Sequence, residues 1–247
     1  MSWLGYPGTL GAHADVVLAD AVTIPLGAES TWSEQVVRLP HYQPNDGLTA
    51  AIPALNRADA GLPQDGHVFC CFNNPAKITP ELFAAWMEIL RRDSGAVLWL
   101  YAGAPGAADN LRAHARGAGI EPSRLIFAEP APHKDHLARH ALADLVLDTW
   151  PYGAHTTASD ALRMGVPVVT LPGASFASRV GASLLTAIEM TDLIATSQAD
   201  YVAKALAFVA DPVLKRRVAE AVQRSTLFNP VAFARSLEAA YAGLVRR

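Results

Sequence analysis

The sequence predicts an α/β protein built on a doubly wound, parallel, Rossmann-like sheet. After Gly66, short runs of β-forming residues alternate with helical stretches of about 10–15 residues, as in strand–helix–strand units. The composition agrees, because 51% hydrophobic and 17% charged residues exclude a disordered chain or a coiled coil. Ligands of such sheets bind at the carboxyl ends of the strands, so functional residues are expected in the loops there.

The regular part of the chain starts at residue 67. A helix is predicted from residue 79, since Thr79 is a suitable N-cap and Pro80 suits the first helical position. Predicted strands are 67–72, 96–101, 125–127, 145–148 and 166–171, and predicted helices are 79–92, 107–117, 133–141, 157–164, 175–188, 197–210, 212–224 and 230–246.

The first 66 residues have a different texture. Two short apolar runs, 15–18 and 36–39, precede a stretch of turn-forming residues at 40–65 that reads as a linker. We therefore divide the chain into 1–66 and 67–247. Two short strands cannot bury a core without neighbours. The first part is thus expected to be loosely held, to expose apolar surface and to be cut first by protease.

Charge and hydropathy exclude several classes of protein. Lys and Arg number 20 against 23 Asp and Glu, a net charge of −3, which argues against a nucleic-acid partner. No segment has the roughly 18 apolar residues of a membrane helix, and the first residues lack a signal peptide's pattern. Cys70 and Cys71 lie in an apolar run, as reduced core thiols do. We expect a cytoplasmic protein without a membrane partner.

Two loops at predicted strand ends carry the scarce basic groups. Asn74 and Lys77 follow the first strand of the regular part, where a lysine can neutralise a phosphate; a solvated turn is the equal alternative. The loop at 129–140 delivers His133, His136 and Arg139. Two histidines four apart suit zinc on a helix, but no third ligand is evident and the arginine repels a cation. A planar anionic ligand is favoured there.

The loop at 152–160 is the most informative. Small residues allow close approach of a ligand, and His155, Thr156 and Thr157 open a helix whose first N–H groups can bind an anion. The alternative is that a threonine only caps the helix and Asp160 only favours its dipole. The turn at 172–179 is a weaker candidate. No dinucleotide fingerprint, P-loop, nucleophile elbow or Asp-x-Asp metal signature is present.

A family resemblance follows from longer stretches. Residues 157–172 (TASDALRMGVPVVTLP) look like the nucleotide-sugar fingerprint of two-domain (GT-B) glycosyltransferases. Trp-Leu-Gly-Tyr-Pro-Gly at 3–8, Phe-Asn-Asn at 72–74, His-Thr-Thr at 155–157 and Ala-Ser-Arg-Val at 177–180 resemble the O-GlcNAc transferase (SPINDLY-type) family. The resemblance implies the UDP-binding lobe of a GT-B enzyme, preceded by the tail of its first lobe.

The resemblance also implies roles for individual residues. Lys77 is expected to neutralise the leaving diphosphate of UDP, and no metal is required. Residues expected around UDP are Asn74, Ala131, His133, His136, Arg139, His155, Thr156, Thr157 and Asp160, and residues expected to face the sugar and acceptor are Leu4, Gly5 and Pro7.

The implied function is inverting transfer of a sugar, with GlcNAc favoured, from a UDP-sugar to Ser or Thr hydroxyls of proteins. Family members carry TPR repeats and most of a first lobe before the loop at residue 3, so the chain is expected to need that missing lobe. Robust transfer by the chain alone would instead require a local group such as His13 or His41. The alternatives are a UDP-binding module without activity of its own and a sugar-nucleotide epimerase of similar architecture.

Overall fold

Two parallel sheets organise the protein. The computed structural model describes residues 1–4, 7–47 and 52–245. The larger sheet has five strands in the order β5-β4-β3-β6-β7, and the smaller one pairs β1 with β2. The strands are β1 (Val16–Ala19), β2 (Gln35–Arg38), β3 (Val68–Cys71), β4 (Val97–Tyr101), β5 (Leu125–Ala128), β6 (Leu145–Leu147) and β7 (Val168–Val169).

Helices connect the strands of the larger sheet. The chain runs outward from β3 to β5 and then returns to β6 beside β3, and right-handed crossovers place the first two helices and the next two on opposite faces. This confirms the predicted doubly wound fold. The helices are α1 (Pro80–Arg92), α2 (Ala107–Gly117), α3 (His133–His140), α4 (Thr156–Arg163), α5 (Val180–Ala187), α6 (Gln198–Val209), α7 (Leu214–Arg224) and α8 (Pro230–Val245).

Most predicted elements are present within a residue or two of their expected ends, and two are not. Thr79 caps α1 as predicted, its hydroxyl accepting from Leu82 N at 3.2 Å. The predicted strand 166–171 is only Val168–Val169, because Pro167 has no N–H to donate and Thr170 pairs with Ile194 instead.

The predicted helix 175–188 is also wrong, since it is interrupted at Arg179. A 3₁₀ turn covers Phe176–Ser178 and α5 starts only at Val180. The Ser178 hydroxyl donates to Ser175 O at 2.7 Å and accepts from Gly173 N at 2.9 Å. These local bonds compete with the helical pattern and tighten the turn.

The first 66 residues are held more firmly than the sequence predicts. Val17, Ala19, Ile24 and Tyr42 are buried in the same core as the larger sheet. Helix α8 returns to the smaller sheet, where its Phe233 packs on Leu18 and Leu39 and stacks on Trp3 with centroids 5.7 Å apart. Some apolar side chains stay exposed, notably Leu26 and Leu55. The sequence missed this packing because the larger sheet and helix α8, against which these residues pack, lie far from them along the chain. A division at residue 66 stays a prediction.

The core around the larger sheet is apolar on both faces. Cys70 and Cys71 are buried free thiols, and burial raises the pKa of Cys71 to about 12. Among the described residues, no helix is both long and apolar enough to cross a membrane.

Candidate functional site

Three loops meet at the carboxyl edge of the larger sheet. They follow β3, β5 and β6 and carry the side chains that the sequence singled out. Parallel strands end at the same edge, so loops distant in sequence become neighbours there. The contacts between these loops define the candidate site.

Lys77 joins the loop after β3 to the loop after β6. Its Nζ donates to Gly153 O at 2.8 Å and lies 4.2 Å from the centroid of the Tyr152 ring. Partial burial lowers the pKa of Lys77, while the nearby Asp148 carboxylate acts in the opposite direction. The structure therefore brings the only lysine of the first half of the chain to the start of α4.

The first backbone N–H groups of α4 have no acceptor within the helix. His155 is the N-cap residue but makes no capping side-chain bond; its Nε2 lies 3.2 Å from Ala177 O, and burial lowers its pKa. Thr156 is exposed. The Thr157 hydroxyl donates to Asn73 Oδ1, so its single proton is already engaged. The donors that remain for an anion at this point are the first helix N–H groups and the Thr156 hydroxyl.

Asn74 and its neighbour Asn73 have different environments. The exposed Asn74 accepts from Ala76 N at 2.9 Å and so caps the 3₁₀ turn Pro75–Lys77 that carries the lysine. Asn73 is buried, and its Nδ2 donates to Thr149 Oγ1 at 2.9 Å. The sequence pointed to Asn74 and missed Asn73, because only the packed structure shows which amide faces inward.

Arg139 orients His136 on the other side of the site. The guanidinium donates to His136 Nδ1, from Nε at 3.1 Å and from Nη2 at 2.5 Å, so the ring proton resides on Nε2. Burial and the adjacent arginine lower the pKa of His136 to about 4. Arg139 also donates to Glu129 O at 2.7 Å and lies over the Phe72 ring at 4.6 Å.

Asp160 lies on α4 and faces two histidines of α3, the helix after β5. Its carboxylate is buried and lies 3.7 Å from His133 Nε2 and 4.0 Å from His136 Nε2. Burial raises the pKa of Asp160, and His133 opposes the shift. Exposed Ala131 lines a cavity of about 290 Å³ together with Arg139. The loop after β5 and helix α4 therefore face one another across a gap lined by polar groups.

Asp148 lies beneath the candidate site, and the sequence did not single it out. It follows β6 directly and is fully buried, with Oδ1 accepting from Thr149 N at 2.7 Å and Ala154 N at 2.6 Å. Its Oδ2 accepts from Thr170 Oγ1 at 2.6 Å. Burial raises the pKa of Asp148 to about 6. A polar residue ending an apolar strand was the available signal.

The residues expected to face the sugar are only partly described. Leu4 is exposed with φ of 61°, a left-handed conformation that is strained for leucine. Burial raises the pKa of the nearby Tyr42, and the Leu4 backbone opposes this shift. Gly5 lies outside the described residues. Pro7 lines a cavity of about 390 Å³ with the turn at 174–179.

The described residues contain no cluster of side chains suited to binding a metal ion. Among them, no group of three or more His, Cys, Asp or Glu side chains is placed to hold a metal ion. His136 and His140 are adjacent, but Arg139 contacts the first and the Nδ1 of His140 is bonded to His136 O at 2.8 Å. One ring nitrogen of each histidine in the pair that the sequence left open for zinc is therefore engaged within the protein.

Comparison with known proteins gives consistent relatives. The sequence model of glycosyl transferase family 41 matches residues 44–237. A protein described as probable UDP-N-acetylglucosamine–peptide N-acetylglucosaminyltransferase SEC of Arabidopsis thaliana is 32% identical over 98% of this chain and 26% of its own length. The corresponding transferase of Caenorhabditis elegans is 35% identical over 74% of this chain and 16% of its own length.

Solved structures agree with the sequence relatives. An O-GlcNAc transferase mutant of Thermobaculum terrenum matches with a TM-score of 0.80 and 32% identity, over 97% of this chain and 46% of that one. A sucrose-phosphate synthase of Thermosynechococcus elongatus shares the GT-B fold alone, with a TM-score of 0.66 and 19% identity over 94% of this chain and 59% of that one. The chain spans about a quarter of the length of the plant relatives it matches. It belongs to glycosyl transferase family 41.

Proposed function

We propose that the chain is the UDP-sugar-binding part of an inverting glycosyltransferase that transfers GlcNAc from UDP-GlcNAc to Ser or Thr hydroxyls of proteins. The observation that carries this proposal is the meeting of Lys77 with the free N-terminus of α4. A cation and unpaired helix N–H groups at one point suit a diphosphate. The names of the relatives supply the sugar and the peptide acceptor.

The proposed reaction places its main demand on the leaving group. The acceptor hydroxyl oxygen forms a bond to the anomeric carbon and releases its proton to solvent, while that carbon's bond to the diphosphate breaks and its electron pair leaves on the diphosphate. An ammonium carries three N–H groups. One N–H of Lys77 is bonded to Gly153 O, which leaves two for phosphate oxygens. Fixed donors aimed at developing charge stabilise the transition state. Lys77 is therefore the proposed catalytic residue.

The residues of α3 and of the loop after β5, together with Asp160 on α4, are proposed to bind the uridine. Its base would lie at the Ala131 backbone between His136 and Arg139, and its ribose hydroxyls at Asp160. The fixed tautomer of His136 supports this arrangement, since Nε2–H faces Asp160 and the gap. Exposed His133 lies on the same side of Asp160. Asn74 contributes by holding the 3₁₀ turn of Lys77.

Transfer is proposed to need more than the residues of this chain. Leu4, Gly5 and Pro7 would face the sugar and acceptor. The plant relatives are longer than this chain, and a first lobe within that extra length would supply the rest of the acceptor groove. Binding of UDP without transfer by the chain alone is the second candidate, favoured by its coverage of about a quarter of those relatives. The proposal is tested with radiolabelled UDP-GlcNAc and peptide: no transfer is expected from the chain alone, and transfer is expected once the lobe is added.

The decisive binding experiment is calorimetric titration of the full chain with UDP. Lys77→Ala is expected to weaken binding by about 1.5–3 kcal/mol, the range for a hydrogen bond to a charged group. Lys204→Ala is the matched control, because Lys204 is bonded to Asp192 O, away from the loops of the site. Unchanged affinity in Lys77→Ala would remove this lysine from the site.

Metal independence is part of the proposal. UDP binding is expected to be the same in EDTA and in magnesium or manganese, because Lys77 and the helix N–H groups are proposed to take the place of a metal at the diphosphate. The same titration measures it. Strict dependence on a divalent cation would contradict the proposed chemistry.

A further inference from the structure

Tyr152 lies on the loop between β6 and α4 and has no role in the function proposed above. The residue is 41% exposed, yet its ring contacts two groups of the proposed diphosphate site. Lys77 Nζ lies 4.2 Å from its centroid, and the His155 ring stacks on it with centroids 5.4 Å apart and planes at 20°. The ring therefore contacts both the lysine and the histidine of the proposed diphosphate site while remaining partly exposed.

The backbone around Tyr152 is fixed on both sides. The Thr149 hydroxyl donates to Tyr152 O at 2.7 Å, and Gly153 N donates to Ala177 O at 3.0 Å. One residue further, Ala154 N donates to Asp148 at 2.6 Å. The position of the ring is therefore set by a pinned loop, so that Lys77 meets a preformed surface.

The lysine side chain gains most from such a surface. Lysine is a point charge on a flexible four-carbon stem, and ordering that stem costs entropy when a ligand binds. Here the Gly153 carbonyl and the Tyr152 ring already restrict it. Two N–H groups of Lys77 can engage phosphate oxygens while both contacts persist. Ordering completed before binding strengthens binding.

We propose that Tyr152 is a positioning residue of the donor site, whose ring holds the Lys77 ammonium against the start of α4. This inference rests on the proposed function, because it assumes that Lys77 meets the diphosphate of a UDP-sugar. The ring does this by cation–π attraction on Lys77 and by stacking on His155. The hydroxyl group of Tyr152 is not required.

The test compares UDP with uridine, which lacks the diphosphate. In calorimetric titrations of the full chain, Tyr152→Leu is expected to bind UDP about 3- to 10-fold more weakly, the effect of losing a partly exposed cation–π contact. Uridine affinity is expected to stay unchanged, because the proposed uridine groups lie on the other side of the site. Tyr152→Phe keeps the ring and is expected to restore most of the UDP affinity.

Tyr241→Leu is the matched control, since Tyr241 is a 37% exposed tyrosine on α8. It is expected to bind UDP as the wild type does. Equal UDP affinities of wild type and Tyr152→Leu overturn the inference alone, as does a parallel loss of UDP and uridine affinity. Failure of Tyr152→Phe to restore binding also overturns it. Absence of UDP binding by the wild-type chain contradicts the proposed function, and this inference with it.

Discussion

Two buried aspartates occupy equivalent places in the two sheets but stabilise different parts of the structure. Asp20 follows directly on β1, and Asp148 follows directly on β6, each at the carboxyl end of a parallel strand. Their exposures are 3% and 0%. A carboxylate so deeply buried must be satisfied by hydrogen bonds. The difference lies in where the donors come from.

Asp20 accepts hydrogen bonds from its own turn and from two distant parts of the chain. Its Oδ1 accepts from Val22 N at 2.9 Å and from Thr23 N at 2.7 Å, as well as from the Thr23 hydroxyl. Its Oδ2 accepts from Tyr42 N at 2.7 Å and from the Ser183 hydroxyl on α5. This carboxylate therefore ties the N-terminal residues to the larger sheet's helices.

Asp148 gathers its donors from the loops of the candidate site. Thr149 N, Ala154 N and the Thr170 hydroxyl surround it, and Lys77 is near enough to oppose the rise of its pKa. Glycine is needed beside it, because a Cβ at Gly181 would lie 2.6 Å from Asp148 Oδ2. A strand-end aspartate thus stabilises whatever its donors belong to. At Asp20 that is a junction, and at Asp148 it is the loop that we propose binds the diphosphate.

The largest expected effect separates the two aspartates by stability. Asp20→Ala is expected to lower the free energy of unfolding by about 3–5 kcal/mol, because several buried donors lose their acceptor together. Urea denaturation of the full chain measures this. Asp15→Ala is the control, because Asp15 is an exposed carboxylate at the other end of β1. A loss below about 1 kcal/mol would mean that Asp20 does not hold the junction.

The next prediction concerns the pH dependence of Asp148. Its pKa is about 6 in the folded protein against 3.8 for an ordinary aspartate. Between these values the folded state binds more protons than the unfolded state, so the Asp148 contribution to stability falls as pH rises from 4 to 6. Asp148→Asn has no such titration.

Unfolding of both proteins at pH 4, 5, 6 and 7 checks this sign. The stability of Asp148→Asn relative to wild type is expected to rise by about 2–3 kcal/mol from pH 4 to pH 6 and to level off above it. The buried histidines titrate in both proteins and cancel in the difference. A difference that stays constant across this range would contradict the raised pKa.

The smallest expected effects come from single hydroxyl donors. Ser183→Ala removes one donor to Asp20, and Thr170→Val removes one donor to Asp148. Each is expected to cost about 1–3 kcal/mol of unfolding free energy. Only Thr170→Val is expected to weaken UDP binding as well, since Asp148 and not Asp20 supports the loop that we propose binds the diphosphate. Titration of both variants with UDP checks the comparison, and equal effects on UDP binding would erase the distinction.

Local patterns in the sequence were sufficient for much of the fold. Thr79 and Pro80 specify a helix start within four residues, so α1 begins where predicted. Strand-to-helix alternation predicts the parallel sheet, and parallel connectivity in turn predicts that Lys77 and His155 share an edge. These conclusions depend on residue types and spacing along the chain, which the sequence contains directly.

Tertiary structure decided what depends on distant partners. Which of Asn73 and Asn74 faces inward, which ring nitrogen of His136 carries the proton, and what Asp148 supports all follow from contacts between loops. Part of the packing of the N-terminal residues comes from the Ser183 hydroxyl, which donates to Asp20 from 163 residues away. Burial and hydrogen-bond partners are properties of three-dimensional neighbours, so no local pattern encodes them. The sequence alone determined the alternation, the helix starts and the polar strand ends, and packing decided which of those polar groups are enclosed and which face the candidate site.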